Sequence, residues 1–432
     1  MNKRNSFLKL KENSDLREIL FSGTATFIYK LIGLLLAYLL MLLITTQFGA
    51  DVFGRYSITL TLSQILVIVF TFGLPSAIVR LIADPDTFNV LPQSNYLQKG
   101  IFLILIAGFA ISILLFIFSE TLSIYLFKDL RLANYLKLLS LFLVPLMFHE
   151  FFSNFFRGKK DFTKYNYFTF IFPNLFFFAI FYILIQYSFL EEITILSYGL
   201  SFMLIFIIEL IAYAKLKLKS KTNFPINRLL KLSFPMMFST TLLFLLNWTD
   251  IFMLGAMKGS SEVGIYNVAF KIASLGYLII IAINVVIAPK ISELYSKNNM
   301  VALKKVIQHS TWFIIVLTIP LMALILLFRE TILGIFGIEF LNGETALVII
   351  GCGVLISSIS GNVDQILNMT NSHKILRNIT FFCFMVNVIL NYFLIPVYGI
   401  NGAAIASLIT NVLINAICLY YIKKNLGFFT FY

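Results

Sequence analysis

Twelve apolar segments of membrane-spanning length, parted by short loops, leave this chain few folds to choose from. The runs cover 20–45, 55–79, 98–118, 133–156, 165–187, 193–214, 231–256, 263–288, 308–328, 345–369, 376–397 and 400–422. Each suits the roughly 20 residues that cross about 30 Å of hydrocarbon as a helix, and only helices or closed barrels satisfy their backbone there. A barrel would show ~10-residue alternating segments, which the sequence lacks. With 59% apolar and 12% charged residues among 432, no single soluble core would hide the apolar surface. The sequence therefore predicts an all-α polytopic membrane protein with 12 transmembrane helices.

A net charge of +13 would suit a nucleic-acid partner if the 33 lysines and arginines made one face. With the N-terminus placed in the cytoplasm, 25 fall on the cytoplasmic side, five (Arg55, Lys128, Arg131, Lys258, Arg329) on the other, and three within spans. That asymmetry is the positive-inside signal and predicts cytoplasmic termini, with membrane lipids and no nucleic acid as neighbours. No cleavable signal peptide is expected, because the first eighteen residues are polar and the apolar run after them is too long for an h-region. Cys352, Cys383 and Cys418 lie in spans at no ligand spacing, and His149, His309 and His373 form no cluster with them, so neither disulfide nor metal is expected.

The chain reads as a duplication. Phe48 to Arg80, FGADVFGRYSITLTLSQILVIVFTFGLPSAIVR, shifted by 210 meets KGSSEVGIYNVAFKIASLGYLIIIAINVVIAPK from Lys258 to Lys290, with Gly54 on Gly264, Tyr56 on Tyr266 and Arg80 on Lys290. A shift of 213 puts Asn174 on Asn387. Six spans followed by six with the same orientation give two pseudo-symmetric six-helix lobes around a central cavity, 1–220 and 221–432, divided at the basic linker 214–231.

Charged and amide residues within spans cost about 2.5–3.5 kcal/mol on insertion scales and line an interior or a wet cavity. Small and polar stripes fall on span 1 (Gly23, Thr26, Lys30, Gly33, Ala37), span 2 (Ser57, Thr61, Gln64, Thr71), span 7 (Thr240, Asn247, Asp250) and span 8 (Asn267, Lys271, Ser274). Spans 4 (Glu150, Ser153, Arg157) and 10 (Ser357, Gly361, Asp364, Asn368) repeat the pattern. A rise of ~1.5 Å per residue puts Lys30 and Lys271 roughly 12–15 Å deep, near the midplane. Asp250 is within reach of Lys271, so that pair is either a static ion pair or part of a ligand site. Lys30 has no evident carboxylate at its depth, which favours an anionic ligand. Gly255 and Gly259 form one GxxxG, most of the 47 Phe read as lipid-facing bulk, and Glu191-Glu192 reads as a solvated outer loop. No Gly-rich phosphate loop, nucleophile elbow or HExxH is present, so no enzyme and no cofactor is expected.

The segments DIFMLGAMKGSSEVGIYNVAFKIASL from Asp250 and VNVILNYFLIPVYGINGAAIAS from Val386, with FGADVFGRYS and FGLPSAIVR near the start, resemble the Wzx O-antigen flippases of the polysaccharide-exporter branch of the MOP superfamily. The resemblance covers nearly the whole chain. It implies a two-lobed carrier in the bacterial cytoplasmic (inner) membrane that moves an undecaprenyl-diphosphate-linked oligosaccharide to the outer leaflet, with a glycan polymerase and chain-length regulator as pathway partners. For that cargo Lys30 and Lys271 are expected to hold the diphosphate, with Arg80 and Arg157 attracting it at the cytoplasmic mouth. Gln64, Asn247, Asn267 and Asn368 are expected to bond sugars, and Asp250 or Asp364 to couple H⁺ or Na⁺ flow. The main competitor is a MATE-like multidrug/cation antiporter, which the midplane lysines oppose because a buried cation repels a cationic cargo. A membrane glycan polymerase or ligase would need a large outer loop, and every outer loop here is short.

Overall fold

A computed structural model describes residues 2–83, 95–187, 190–216 and 223–431, with side chains from Gly23 onward apart from Ser239 and Leu243. Lys217, Lys219 and Lys221, and the boundary expected at 220, lie outside the described residues. Within them the chain is helical, with no strand. The elements are α1 (Asn2–Phe70), α2 (Leu74–Ala83), α3 (Tyr96–Thr121), α4 (Leu132–Gly158), α5 (Phe162–Asn166), α6 (Phe172–Tyr187), α7 (Ile193–Ala214) and α8 (Ile226–Lys258). The rest are α9 (Ser260–Ala273), α10 (Tyr277–Ser296), α11 (Met300–Leu327), α12 (Arg329–Gly334), α13 (Glu344–Ser360), α14 (Val363–Met369), α15 (His373–Tyr398) and α16 (Ile400–Leu426). Among the described residues ten helices are long and apolar enough to cross a membrane, or eleven if α8, bent by 51°, is one span.

The first of the ten, Gly23–Phe70, holds 48 residues. Straight, it would run about 72 Å, more than twice the hydrocarbon thickness. Gly49 breaks it with φ 78° and ψ −173°, backbone that only glycine adopts at low cost. Gly259, 210 residues on, takes φ 97° and ψ −179° between α8 and α9. The same hinge thus stands at both places that the sequence shift equates, and α1 is two antiparallel helices as α8 and α9 are. Here the count of twelve spans parts from eleven. Both hinges lie at one end of the molecule, called the hinge end below; the other, lysine-rich end carries Lys159, Lys215 and Lys297.

The aligned stretches also pack on each other. A Cβ on Gly54 would fall 1.7 Å from the Ser260 carbonyl oxygen, and one on Gly264 would fall 2.1 Å from that of Ala50. Asn267 Nδ2 donates to Ser57 Oγ at 2.7 Å, again a pair separated by 210. Residues that contact their own counterparts are what an axis along the seam requires. The lipid-facing reading of the phenylalanines fails on α4, where Phe148, Phe151, Phe152, Phe155 and Phe156 are all buried, packed by α3 and α7. A second buried cluster, including Ile291, Ile307, Ile366 and Cys418, joins α10, α11, α14 and α16.

Candidate functional site

The seam between α1 and α9 widens into a cavity of about 230 Å³. Ala37 and Tyr38 of α1, and Phe270, Lys271 and Ser274 opposite, form its wall. Lys271 is fixed at its backbone, whose carbonyl accepts from the Tyr38 hydroxyl at 2.5 Å. Its ammonium lies 5.6 Å from the centre of the Phe53 ring and makes no hydrogen bond or ion pair among the described residues. Asn267 Oδ1 and Ser274 Oγ, one turn either side on the same face, are buried without a described hydrogen-bond partner. Buried polar atoms are almost always paired, so a cation flanked by an amide oxygen left to accept and a hydroxyl left to donate suits a guest that carries an anionic group and hydroxyls.

Lys30 lies outside that wall, on the same face of α1. Gly23, seven residues before it, faces Val285 of α10, and Ala37, seven after it, lines the cavity. Two helical turns return a residue to nearly the same face, so Lys30 lies on the seam below the cavity. It stands eight residues from Tyr38, about 12 Å along the axis. Side chains lean toward their helix N-terminus, which for α1 is the lysine-rich end and for α9 the hinge end. The two lysines thus stand at different depths on the seam, with the Lys271 ammonium toward Phe53. Gln64 is exposed two turns from Ser57 on its helix, and Asn267 is buried at the seam.

Of the two readings left open for Asp250 and Lys271, a static ion pair is not formed among the described residues. Asp250, 3% exposed, is held inside the C-terminal half by Tyr266 Oη at 2.8 Å, Asn391 Nδ2 at 2.7 Å and Ser407 Oγ. All three donors are neutral, and Asn391 Oδ1 beside them is a buried orphan. A carboxylate so placed has no counter-charge among its described partners and can take up a proton or a small cation. Asp364 is exposed on α14, beyond the break at Gly361. It lies about 30 Å from the hinge end along its span and Asp250 about 12 Å, so the two acids form no joint site.

The remaining candidates are dispersed. Arg80 and Arg157 are exposed at the lysine-rich end, Arg157 5.7 Å over the Tyr165 ring. Asn247 and Asn368 are exposed on α8 and α14. Ser357 faces away from the seam, into a network with Asn411, Asn415 and Tyr277 inside the C-terminal half. Glu191 is no free loop acid, since Arg55 bridges it at 2.6 Å to Asp129 at 2.7 Å.

Sequence reading missed a pair in α4 and α7. Glu209, fully buried, takes His149 Nδ1 at 3.1 Å and Ser153 Oγ at 3.0 Å on one oxygen. Ser153 thus leaves the central stripe assigned to it. The i, i+4 spacing of His149 and Ser153 was visible, but Glu209 is sixty residues on and only packing joins them. Glu209→Ala should cost about 3–5 kcal/mol by stranding its partner, whereas His149→Leu with Glu209→Met should come back near the parent. Thermal unfolding in detergent reads this, and a double variant no better than the single would refute the pairing.

Known proteins resemble this chain in sequence and fold. The family model described as "Polysaccharide biosynthesis protein" matches residues 19–295, and the MatE model matches 235–393. In Haloferax volcanii, "Probable low-salt glycan biosynthesis flippase Agl15" is 31% identical over 162 residues, 37% of this chain and 34% of that protein. "Probable flippase AglR" from the same organism is 30% identical over 167 residues, 38% and 35% of the two chains. The alignments thus span about a third of each curated relative. A lipid II flippase MurJ in an inward closed conformation superposes at TM-score 0.75 and 18% identity, over 93% of this chain and 87% of that one. An inward-facing MATE family multidrug resistance transporter of the MOP superfamily superposes at 0.71 and 15%, over 91% and 94%.

Proposed function

Because the chain belongs to the polysaccharide biosynthesis protein family, we propose that it is a non-enzymatic flippase of the MOP superfamily for a polyprenyl-diphosphate-linked oligosaccharide. An O-antigen-type unit on undecaprenyl diphosphate is the specific form. The carrying observation is Lys271, a cation in the wall of an inter-half cavity with no charged partner among the described residues and two orphan polar atoms beside it. The diphosphate would sit on that ammonium and the sugars on the seam amides, while the polyprenyl tail stays in lipid. A cavity of about 230 Å³ takes a diphosphate but not a glycan, so loading requires the halves to part. The lysine-rich end faces the cytoplasm, where Arg80 and Arg157 concentrate the anionic cargo and Lys30 receives it before Lys271. Loading two lobes from one side and releasing to the other is alternating access.

Asp250 supplies the driver in this reading, its neutral cage taking H⁺ or Na⁺ from the outside. Asp250→Asn should then remove the dependence of transport on the ion gradient, shown by equal rates with and without it; a gradient dependence that survives would assign the driver elsewhere.

Ligand-induced stabilisation tests the cargo class. A polyprenyl diphosphate at 100 times its Kd should stabilise the protein by about 2.7 kcal/mol, and Lys271→Ala should abolish the shift. Stabilisation by a lipophilic cation such as ethidium, with none by the lipid diphosphate, would move the protein to the drug-antiporter reading that the MatE match also permits.

A further inference from the structure

At the hinge end two carboxylates cross between the halves. Asp129, in the loop before α4, accepts at Oδ2 from Ser260 Oγ at 2.6 Å. Glu339, in the 3-10 turn Ile338–Gly343 before α13, accepts at Oε1 from the Ala50 backbone N–H at 2.6 Å. Ser260 and Ala50 are the first residues after the hinge glycines Gly259 and Gly49. Asp129 and Glu339 are themselves 210 residues apart, as are Ala50 and Ser260. Each half therefore sends an acid from the equivalent sequence position to the same helix start of the other half. Three features of the seam, the hinges, the reciprocal glycines and these crossings, obey one symmetry.

We propose that Asp129 and Glu339 are matched positioning residues that brace the hinge end shut, so that cargo entering from the lysine-rich end meets a closed far gate. This rests on the alternating-access reading above, since a brace matters only where the halves part. No other contact explains Glu339, whose described partner is the Ala50 amide alone. That amide is among the first N–H groups of a helix, which lack intrahelical acceptors. The braces are unequal. Asp129 is tied back by Arg55 and by the Arg131 backbone, whereas Ile265 stands where a partner for Glu339 would repeat Arg55. Glu339 is also exposed, so water competes for its bond.

Burial pushes the Asp129 carboxyl up, but the bonds from Ser260 and Arg55 outweigh it and hold the group below the usual carboxylate range. A depressed group keeps its contribution until pH falls through its folded value. Arg55, Arg131, Glu191 and Asp51 are the charges around it. Its brace should therefore hold unchanged from neutral to mildly acidic pH.

The test needs no cargo. With Cys352, Cys383 and Cys418 replaced by alanine, Ser274→Cys places a thiol in the cavity wall, and a membrane-impermeant maleimide is offered to each face of reconstituted vesicles. Ser260→Ala should raise labelling from the hinge face on the order of tenfold, Glu339→Ala less, and the two together more than either. Glu339→Gln, which keeps an acceptor oxygen, should stay near the parent. Unchanged hinge-face labelling in a folded double variant, or a rise equal from both faces, would overturn the brace. Altered labelling, with no movement of lipid-linked glycan by the parent protein that retains Ser274, would leave the brace standing and sink the cargo reading instead.

Discussion

Lys271→Ala should lower translocation of a lipid-diphosphate oligosaccharide about 10- to 100-fold, the loss that goes with one charge-assisted bond worth roughly 1.5–3 kcal/mol. The ammonium stands in a wall of Phe270, Leu275, Leu278 and Ala37, with the Phe53 ring on its other side. A ring face contributes only about 0.5–2 kcal/mol toward holding a cation out of water, so the bound phosphate replaces weak contacts by a strong one. Lys271→Arg keeps the charge but changes its shape, and should retain most activity. Lys30→Ala should cost less, because that residue is half-buried lower on the seam, outside the cavity that Lys271 lines. Equal losses for both would mean a shared clamp rather than two stations. Initial rates over a range of cargo concentration separate them, since an entry station changes the concentration dependence and the inner one the maximal rate.

Gly54→Val should be at least as damaging, and for a different reason. Its Cβ would enter the Ser260 carbonyl, 1.7 Å away, and stand 3.1 Å from the Gly264 nitrogen. Both obstacles are backbone, so no rotamer relieves the clash, and the cost should reach the upper end of overpacking, about 3 kcal/mol or more. The cheapest escape is to part the halves at the hinge end. The variant should therefore purify with its helices intact, label freely at Ser274→Cys from the hinge face, and transport nothing. Gly264→Val, meeting Ala50, should behave alike. A Gly54→Val protein with parental labelling and activity would show that the seam does not close as described.

Most spans were legible because the bilayer imposes a length and an apolar content that sequence records directly, but the breaks at Gly73 and Gly361, inside the expected spans 55–79 and 345–369, were not. The 210-residue shift was legible from Gly54, Tyr56 and their counterparts, yet its purpose was not. That Gly54 and Gly264 touch backbone across the seam depends on where two helices cross. The polar stripes were only half readable. Helical spacing gave Lys271, Asn267 and Ser274 one face correctly, but Thr26 and Gly33 of the span 1 stripe turn to Asn166 and Asn174 within their own half, while Lys30 and Ala37 keep to the seam. A stripe wide enough for two neighbours does not say which residue serves which. Asp250 failed as a partner for Lys271 because the sequence gives depth without azimuth. Its depth suited a pair, but Tyr266, Asn391 and Ser407 take both carboxylate oxygens. Glu339 was invisible as a brace, since nothing local distinguishes it from any loop acid.

The most direct measurement is translocation in sealed proteoliposomes, following a polyprenyl-diphosphate oligosaccharide to the far leaflet with an added glycosidase that cuts only exposed glycan. The account predicts protein-dependent cleavage of more glycan than the outer leaflet held at the start, reduced to the protein-free level in a Lys30→Ala, Lys271→Ala double variant that still folds. Full movement in that variant, or no movement by the parent protein under any ion gradient, would contradict it.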